Sequence, residues 1–358
     1  MRTPILEINL NKLITNLKII KDLCCINNLE LTVVTKVLEG YSEVVREFIK
    51  EVDSIGDSRI CDIKQMIENN IKSNYMLIRS PSFTEIPEVV KYCGISLNTE
   101  IETLKRLGEY SENYNKQHKV ILMIDMGDLR EGILIDDFEH FLKEAINIKG
   151  IELIGIGANS TCFAGLIPTE KNLSILEKAL FIYKKYIKSE PIVSGGGSNL
   201  IPLILNKKLP SFINHVRIGE AIMLGVDAIY KNNIPGCYTD CFTLFSEIIE
   251  IKNKPSTSEG DFAPNAFGEH PVFVNKGIRK RALLNIGRLD TDISGITPDR
   301  DSINILGATS DHLIVDIEEP EQLSNGDIIK FKLNYSALLF AMNSNYVSKI
   351  VIDPPSEE

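Results

Sequence analysis

Nowhere in the 358 residues do 18 apolar residues run together, so no transmembrane helix is expected. The N-terminus, MRTPILEINL, lacks the apolar stretch of a signal peptide. No long basic run interrupts a formal net charge of -10, which argues against a nucleic-acid surface or a polybasic membrane patch. The densest basic cluster, Arg279-Lys280-Arg281, is flanked by Ile278 and by Ala282-Leu283-Leu284 and reads as a solvated strand edge. The seven cysteines include no Cys-x-x-Cys pair and no His-Cys cluster with zinc spacing, so no metal site is expected. Reduced thiols and a cytoplasmic location fit best.

What the chain does have is a 44% hydrophobic content, enough for one large domain and a smaller one. Within it, the stretch Thr32-Val33-Val34-Thr35-Lys36-Val37 puts a lysine at the end of a β-branched run that otherwise reads as a buried parallel strand. Eight such runs alternate with helical patterns: 31–35, 52–55, 75–78, 95–97, 120–124, 151–156, 191–193 and 215–218. That alternation predicts an α/β fold, a (β/α)8 TIM barrel over residues 10–235. The short ILEINL run precedes the barrel and is free to pair elsewhere. From about Gly236 the pattern changes to strand-like runs between turn residues, which predicts a C-terminal mostly-β domain over 236–358, joined by a strand within 1–9. The terminal DPPSEE reads as disordered.

A barrel carries its chemistry on the loops after the strand ends, where this sequence places Lys36, Arg130, Cys162, Ser194-Gly195-Gly196-Gly197-Ser198 and Arg217 with Gly219. The loops SGGGSN and RIGE, after strands seven and eight, suit a phosphate, because glycines let backbone N–H groups approach its oxygens. The glycine triplet is expected to lie opposite Lys36. A partly desolvated lysine beside a phosphate site invites a carbonyl cofactor, and pyridoxal 5'-phosphate has both an aldehyde and a phosphate. A Schiff-base aldolase would also use a barrel lysine, but it has no need of an added β domain.

The blocks VVTKV, MIDMGDLREGIL, GIGANSTCFAGLIP, VSGGGSN, VRIGEAIMLG, IGRLDTDISGI, LGATSDHLIVD and NYSALL span nearly the whole chain. Through them the sequence resembles the alanine racemase-like, fold-type III pyridoxal phosphate enzymes, most of all the ornithine racemase branch. The resemblance implies an isomerase that interconverts the L and D forms of a basic amino acid such as ornithine by two-base α-proton transfer. Lys36 would be the Schiff-base lysine and the base on one face. Arg130 would approach the cofactor phenolate oxygen, and Arg217 would meet the pyridine nitrogen. Ser198, the amides of Gly219 and Glu220, and the Tyr335 hydroxyl would hold the phosphate.

The family places a tyrosine base in the block that reads IGRLDTD here, and the matching position is Arg288, which cannot deprotonate in a protein. Asp290, Asp292 and His312 are the candidate replacements. Cys162 falls where alanine racemases usually have a histidine. A distal ammonium on the substrate calls for an anion, which Asp128, Glu131, Asp290 or Asp292 could supply. The resemblance also implies a homodimer with composite active sites, the β domain of one subunit closing the barrel of the other. Two other readings are a fold-type III ornithine or lysine decarboxylase and a non-enzymatic pyridoxal phosphate carrier. Against the first stand Arg217 and the TSDH block, where those enzymes place a glutamate and a Cys-Asp pair; against the second stands the β domain.

Overall fold

The structure is a computed structural model that describes residues 2–318 and 322–352. The chain divides into two units, Lys12–Thr239 and a second made of Met1–Asn11 with Asp240–Glu358. The first strand, β1 (Ile5–Asn9), belongs to the second unit.

In Lys12–Thr239, eight parallel strands close into a barrel: β2 (Glu30–Val34), β3 (Ser54–Asp57), β4 (Asn74–Leu77), β5 (Ile95–Asn98), β6 (His118–Asp125), β7 (Ile151–Asn159), β8 (Ile192–Ser194) and β9 (His215–Ile218). The expected barrel is present. Its strands bury both faces, as parallel strands covered by helices must, and the run Val120–Ile124 is buried without a break. Between strands, helices turn an apolar face inward; in Ile60–Glu68 the buried side includes Ile60, Ile63 and Met66. The barrel interior is packed, not hollow, around Met76, Leu97, Ile121 and Met123. The second barrel strand begins at Ser54, two residues later than expected, because the preceding helix ends in a turn through Glu51 that carries Val52.

In the second unit the strands β10 (Phe242–Pro255), β11 (Ile278–Leu284), β12 (Ile296–Pro298), β13 (Ile303–Ala308), β14 (Leu313–Ile317), β15 (Ile328–Leu333) and β16 (Ser348–Ile352) follow. They form a sheet ordered β12-β15-β10-β11-β14-β13. β1 joins it, antiparallel to β10 and parallel to β16. The basic cluster at 279–281 is not on a sheet edge, since β11 lies between β10 and β14. Of its three cations, Arg279 is paired across the ladder, its Nε lying 3.0 Å from Asp316 Oδ2. The segment 353–358, expected to be disordered, lies outside the described residues.

No helix among the described residues is long and apolar enough to cross a membrane. All seven cysteines are free thiols.

Candidate active site

Barrel closure pairs the first and last strands, with Val33 of β2 opposite Ile218 of β9. The RIGE loop is therefore beside Lys36, and the glycine triplet after β8 lies only one strand further round and not opposite the lysine. A closed sheet makes the eighth strand the neighbour of the first, a consequence not drawn from the sequence. Lys36 opens a short 3-10 turn, Lys36–Leu38, directly after β2 and is half-buried. Gly219, just past β9, backs onto the end of β2: a Cβ there would lie 2.8 Å from the Val34 oxygen. Only a glycine lets the two strand ends approach so closely.

Arg217 is 5% exposed at the C-terminal mouth of the barrel. Its Nη2 donates to the Ala158 oxygen at 2.8 Å and to Asn159 Oδ1 at 2.5 Å, and its Nη1 donates to Ser194 Oγ. Burial pushes its pKa down to about 10, with Glu131 and Cys162 opposing, which leaves a cation at neutral pH. From Arg217 a chain of polar groups runs down through the barrel. Ser194 Oγ meets His215 Nδ1 at 2.7 Å, His215 Nε2 meets Thr32 Oγ1 at 2.9 Å, and Thr32 Oγ1 meets Ser54 Oγ at 2.8 Å. A buried cation so bound has one orientation.

In the other direction Asn159 Nδ2 donates to Glu131 Oε1 at 2.6 Å, and Glu131 pairs with Arg130. Four of the residues singled out from the sequence thus occupy one mouth. Lys36 and Gly219 lie on adjacent strand ends, while Arg217 and Arg130 are joined through Asn159 and Glu131. Cys162 is exposed in the loop after β7. Asp128 is 2% exposed, and its carboxylate accepts from the amides of Phe163 and Ala164 at 3.3 and 3.1 Å. It holds the Cys162 loop.

The glycine loop is ordered by Asn199, to which the sequence had assigned no role. Asn199 Oδ1 accepts from Gly197 N at 2.9 Å and its Nδ2 donates to Ser160 Oγ at 2.6 Å. Ser198 Oγ accepts from Ala221 N at 3.1 Å, tying that loop to the turn after Gly219. Glu220 is ion-paired to Lys231 at 2.6 Å, so its side chain faces away from this use and its backbone is what remains. Ser194 was expected only as part of the phosphate loop, and Asn159 and His215 had no assigned role, although each lies at a barrel strand end or start. These donors fit a phosphorylated aldehyde: a hydroxyl and clustered loop amides at one place, a fixed cation at another, and an amine on the adjoining strand end.

In the second unit the carboxylates proposed as bases are engaged locally. Asp290 Oδ2 accepts from Gly287 N at 2.8 Å, and burial raises its pKa above the ordinary value. Asp292 Oδ1 accepts from Ser294 Oγ at 2.7 Å and its Oδ2 from Ser336 Oγ at 2.5 Å, and these bonds lower its pKa. His312 is half-buried in the turn between β13 and β14. Arg288 is held as a cation by a two-pronged pair with Glu269, at 2.9 and 2.7 Å, and by the Phe267 ring 4.1 Å away. Tyr335 is half-buried at the start of the helix Tyr335–Asn343, whose N-cap, Asn334, accepts from Ala337 N at 2.9 Å.

Comparison with known proteins supplies a further set of observations. Residues 8–226 match the family model "Alanine racemase, N-terminal domain". The chain is 42% identical over 350 residues to an ornithine racemase of Acetoanaerobium sticklandii, covering 97% of this chain and 99% of that protein. It is 34% identical over 354 residues to a lysine racemase of Thermotoga maritima, covering 97% and 98%. Among solved structures, the alanine racemase of Bartonella henselae with covalently bound pyridoxal phosphate superposes with a TM-score of 0.75 at 15% identity, covering 98% of this chain and all of that one.

Proposed function

The chain belongs to the alanine racemase family, and from that premise we propose that it is a pyridoxal phosphate-dependent racemase of a basic amino acid, with ornithine as the leading substrate. The observation that carries this reading is the pairing of β2 with β9, which sets Lys36 beside the Arg217–Gly219 strand end. Pyridoxal phosphate, when bound, supplies an aldehyde and an electron-withdrawing ring that makes the substrate α-proton removable.

Lys36 would hold that group through Nζ and move the α-proton on one face. Ser198 and the amides of Gly219 and Glu220 would hold the phosphate, with Tyr335 contributing its hydroxyl. Arg217, fixed by Ser194 and Asn159, would meet the ring nitrogen with a positive charge and so would disfavour a proton there. That bias favours return of the α-proton over further reaction. Arg130 would meet the phenolate oxygen. On the substrate side, Arg130 and Cys162 line the mouth, and Asp128 acts through the loop it clamps.

The opposite-face proton would be carried by the group Asp290, Asp292 and His312, delivered by a second copy of the chain in a homodimer with composite sites. The ion pair of Arg288 with Glu269 supports the exclusion of that position as a base. A cytoplasmic location accords with the free thiols.

The test is to incubate the purified protein and pyridoxal phosphate with a panel of L-amino acids in deuterated water and resolve the enantiomers by chromatography. D-ornithine carrying deuterium at the α-carbon is expected. Release of carbon dioxide, or retention of the α-proton with every substrate, would replace this reading with decarboxylation or with cofactor carriage.

A further inference from the structure

The segment that carries Lys36 is tied ahead of the lysine to one buried carboxyl group and packs behind it against the backbone of the residue that carries a second. Ahead of the lysine, Thr35 Oγ1 donates to Asp57 Oδ2 at 2.8 Å. Behind it, Gly40 takes a φ of +63°, and a Cβ there would lie 3.0 Å from the Asp62 backbone carbonyl oxygen and 3.3 Å from Asp62 Cα and Cβ. The turn after Lys36 therefore rests on Asp62, in the first turn of the helix Ile60–Glu68.

Asp57 is completely buried and Asp62 is 6% exposed. Every hydrogen-bond donor to Asp57 is neutral: the Thr35 hydroxyl and the amides of Ser58 and Arg59. Asp62 accepts from Cys61 Sγ at 3.3 Å and faces the Asp57 carboxyl. The other titratable groups facing the pair are Arg59, which acts on Asp62, the thiol of Cys61, and Cys93, whose thiol is pushed up to about 12 by burial and by the Asp57 charge. Two carboxylates side by side in a dry site do not both stay ionised. Burial and the neighbouring Asp62 charge together hold Asp57 well above the usual carboxylate range.

We infer that Asp57 and Asp62 share a single proton at neutral pH and that this pair is a positioning element for Lys36. The inference rests on Lys36 being the cofactor lysine. With one proton, the pair can keep Asp57 Oδ2 as an acceptor for Thr35 while the charges of the two carboxyls do not oppose each other. Loss of that proton sets two negative charges against each other and pushes apart the carboxyls, one of which holds Thr35, the residue just ahead of Lys36.

Infrared spectra of the full chain without added pyridoxal phosphate read the proton directly. At pH 7 the wild type is expected to show a carboxylic-acid C=O band that is lost in both Asp57→Asn and Asp62→Asn. Absence of the band in the wild type, or its survival in both variants, overturns the inference. The positioning role is read by trapping pyridoxal phosphate on Lys36 with borohydride and weighing the Lys36 peptide. Trapping in the wild type is expected to change by about threefold or more across roughly pH 6–8, the range of an elevated carboxyl pair, and Asp62→Asn removes that step. Thr35→Val, which keeps the carboxyls and removes the hydroxyl, lowers trapping at every pH. Superimposable profiles for wild type and Asp62→Asn overturn the positioning role. A wild type whose Lys36 takes no label at all overturns the functional reading and the positioning role with it, whereas the infrared band still decides proton sharing by itself.

Discussion

Asn159 orients its amide between opposite charges, with Oδ1 accepting from Arg217 at 2.5 Å and Nδ2 donating to Glu131 at 2.6 Å. Both bonds involve an ionised partner, and such bonds contribute about 1.5–3 kcal/mol each. Asn159→Leu removes both and leaves Arg217 short of an acceptor in a buried position. Urea denaturation is expected to show a loss of about 2–4 kcal/mol, allowing for relaxation around the half-buried amide. Racemisation is expected to fall by at least tenfold, since Arg217 would lose its fixed orientation. An unchanged midpoint together with unchanged turnover would show that the amide link carries neither role.

Lys36→Ala tests the amine itself. The variant is expected to fold, because the side chain is only half-buried. It should lose the visible absorbance that the wild type gains with pyridoxal phosphate, and its racemisation rate should fall by about 10²- to 10⁴-fold or more, the usual worth of a positioned acid–base group. Lys36→Arg is expected to behave in the same way, since a guanidinium supplies no free amine. Normal turnover in either variant would remove Lys36 from the mechanism.

How far the sequence could be read depended on the range of the interaction. The eight barrel strands were visible because burial on both faces leaves a local signature, as in Val120–Ile124, and the change of pattern near Gly236 marked where strand–helix alternation stops. The lysine and the glycine loops were visible as polar residues at apolar strand ends. The register that sets Val33 opposite Ile218 was not, because barrel closure is a pairing between residues 185 positions apart that no local pattern encodes. The positions of Asn159, Asn199 and Asp57 at strand ends or in the glycine loop were visible, but their bonding roles were not, for a related reason. A buried amide or carboxyl looks like any loop residue until its partners, Glu131, Ser160 and Thr35, are brought in from other strands. The Arg279-Lys280-Arg281 cluster misled because the compensating Asp316 and Glu318 come from a distant strand.

Gly219→Ala tests the close approach of the last strand to the first. Its φ of -131° is open to any residue, so the cost is steric and not conformational. The added methyl would sit 2.8 Å from the Val34 oxygen and 3.0 Å from Val34 Cβ, and overpacking of this kind costs about 1–3 kcal/mol. The strain falls two residues from Lys36 and next to the phosphate-holding amides, so the expected reading is a rise of about tenfold in the dissociation constant for pyridoxal phosphate, measured by fluorescence titration. Equal affinity with a lowered melting temperature would mean that the contact serves the barrel alone.

Acid stability should reflect two buried imidazoles. Burial pushes His118 down to about 4, and burial with the Arg217 charge pushes His215 down to about 3. Both are neutral in the fold and must take up a proton when the chain unfolds below pH 6.5, so the unfolded state binds more protons and stability falls as the pH drops. Each group contributes up to about 1.4 kcal/mol per pH unit in that window. The raised Asp57 acts in the opposite sense, because the folded state holds its proton where the unfolded state has released it, and stability there is lost as the pH rises. Two imidazoles against one carboxyl leave a net loss of about 1.4 kcal/mol for each unit of acidification between roughly pH 6 and pH 4.5. His215→Asn is expected to flatten that slope in denaturant titrations. It removes one imidazole and leaves His118 nearly balanced by Asp57, whereas Asp62→Asn should steepen the slope by lowering the Asp57 pKa. A slope unchanged by His215→Asn would mean that the buried ring is already protonated in the fold, and the link from Ser194 through His215 to Thr32 would then have to carry a charge beside Arg217.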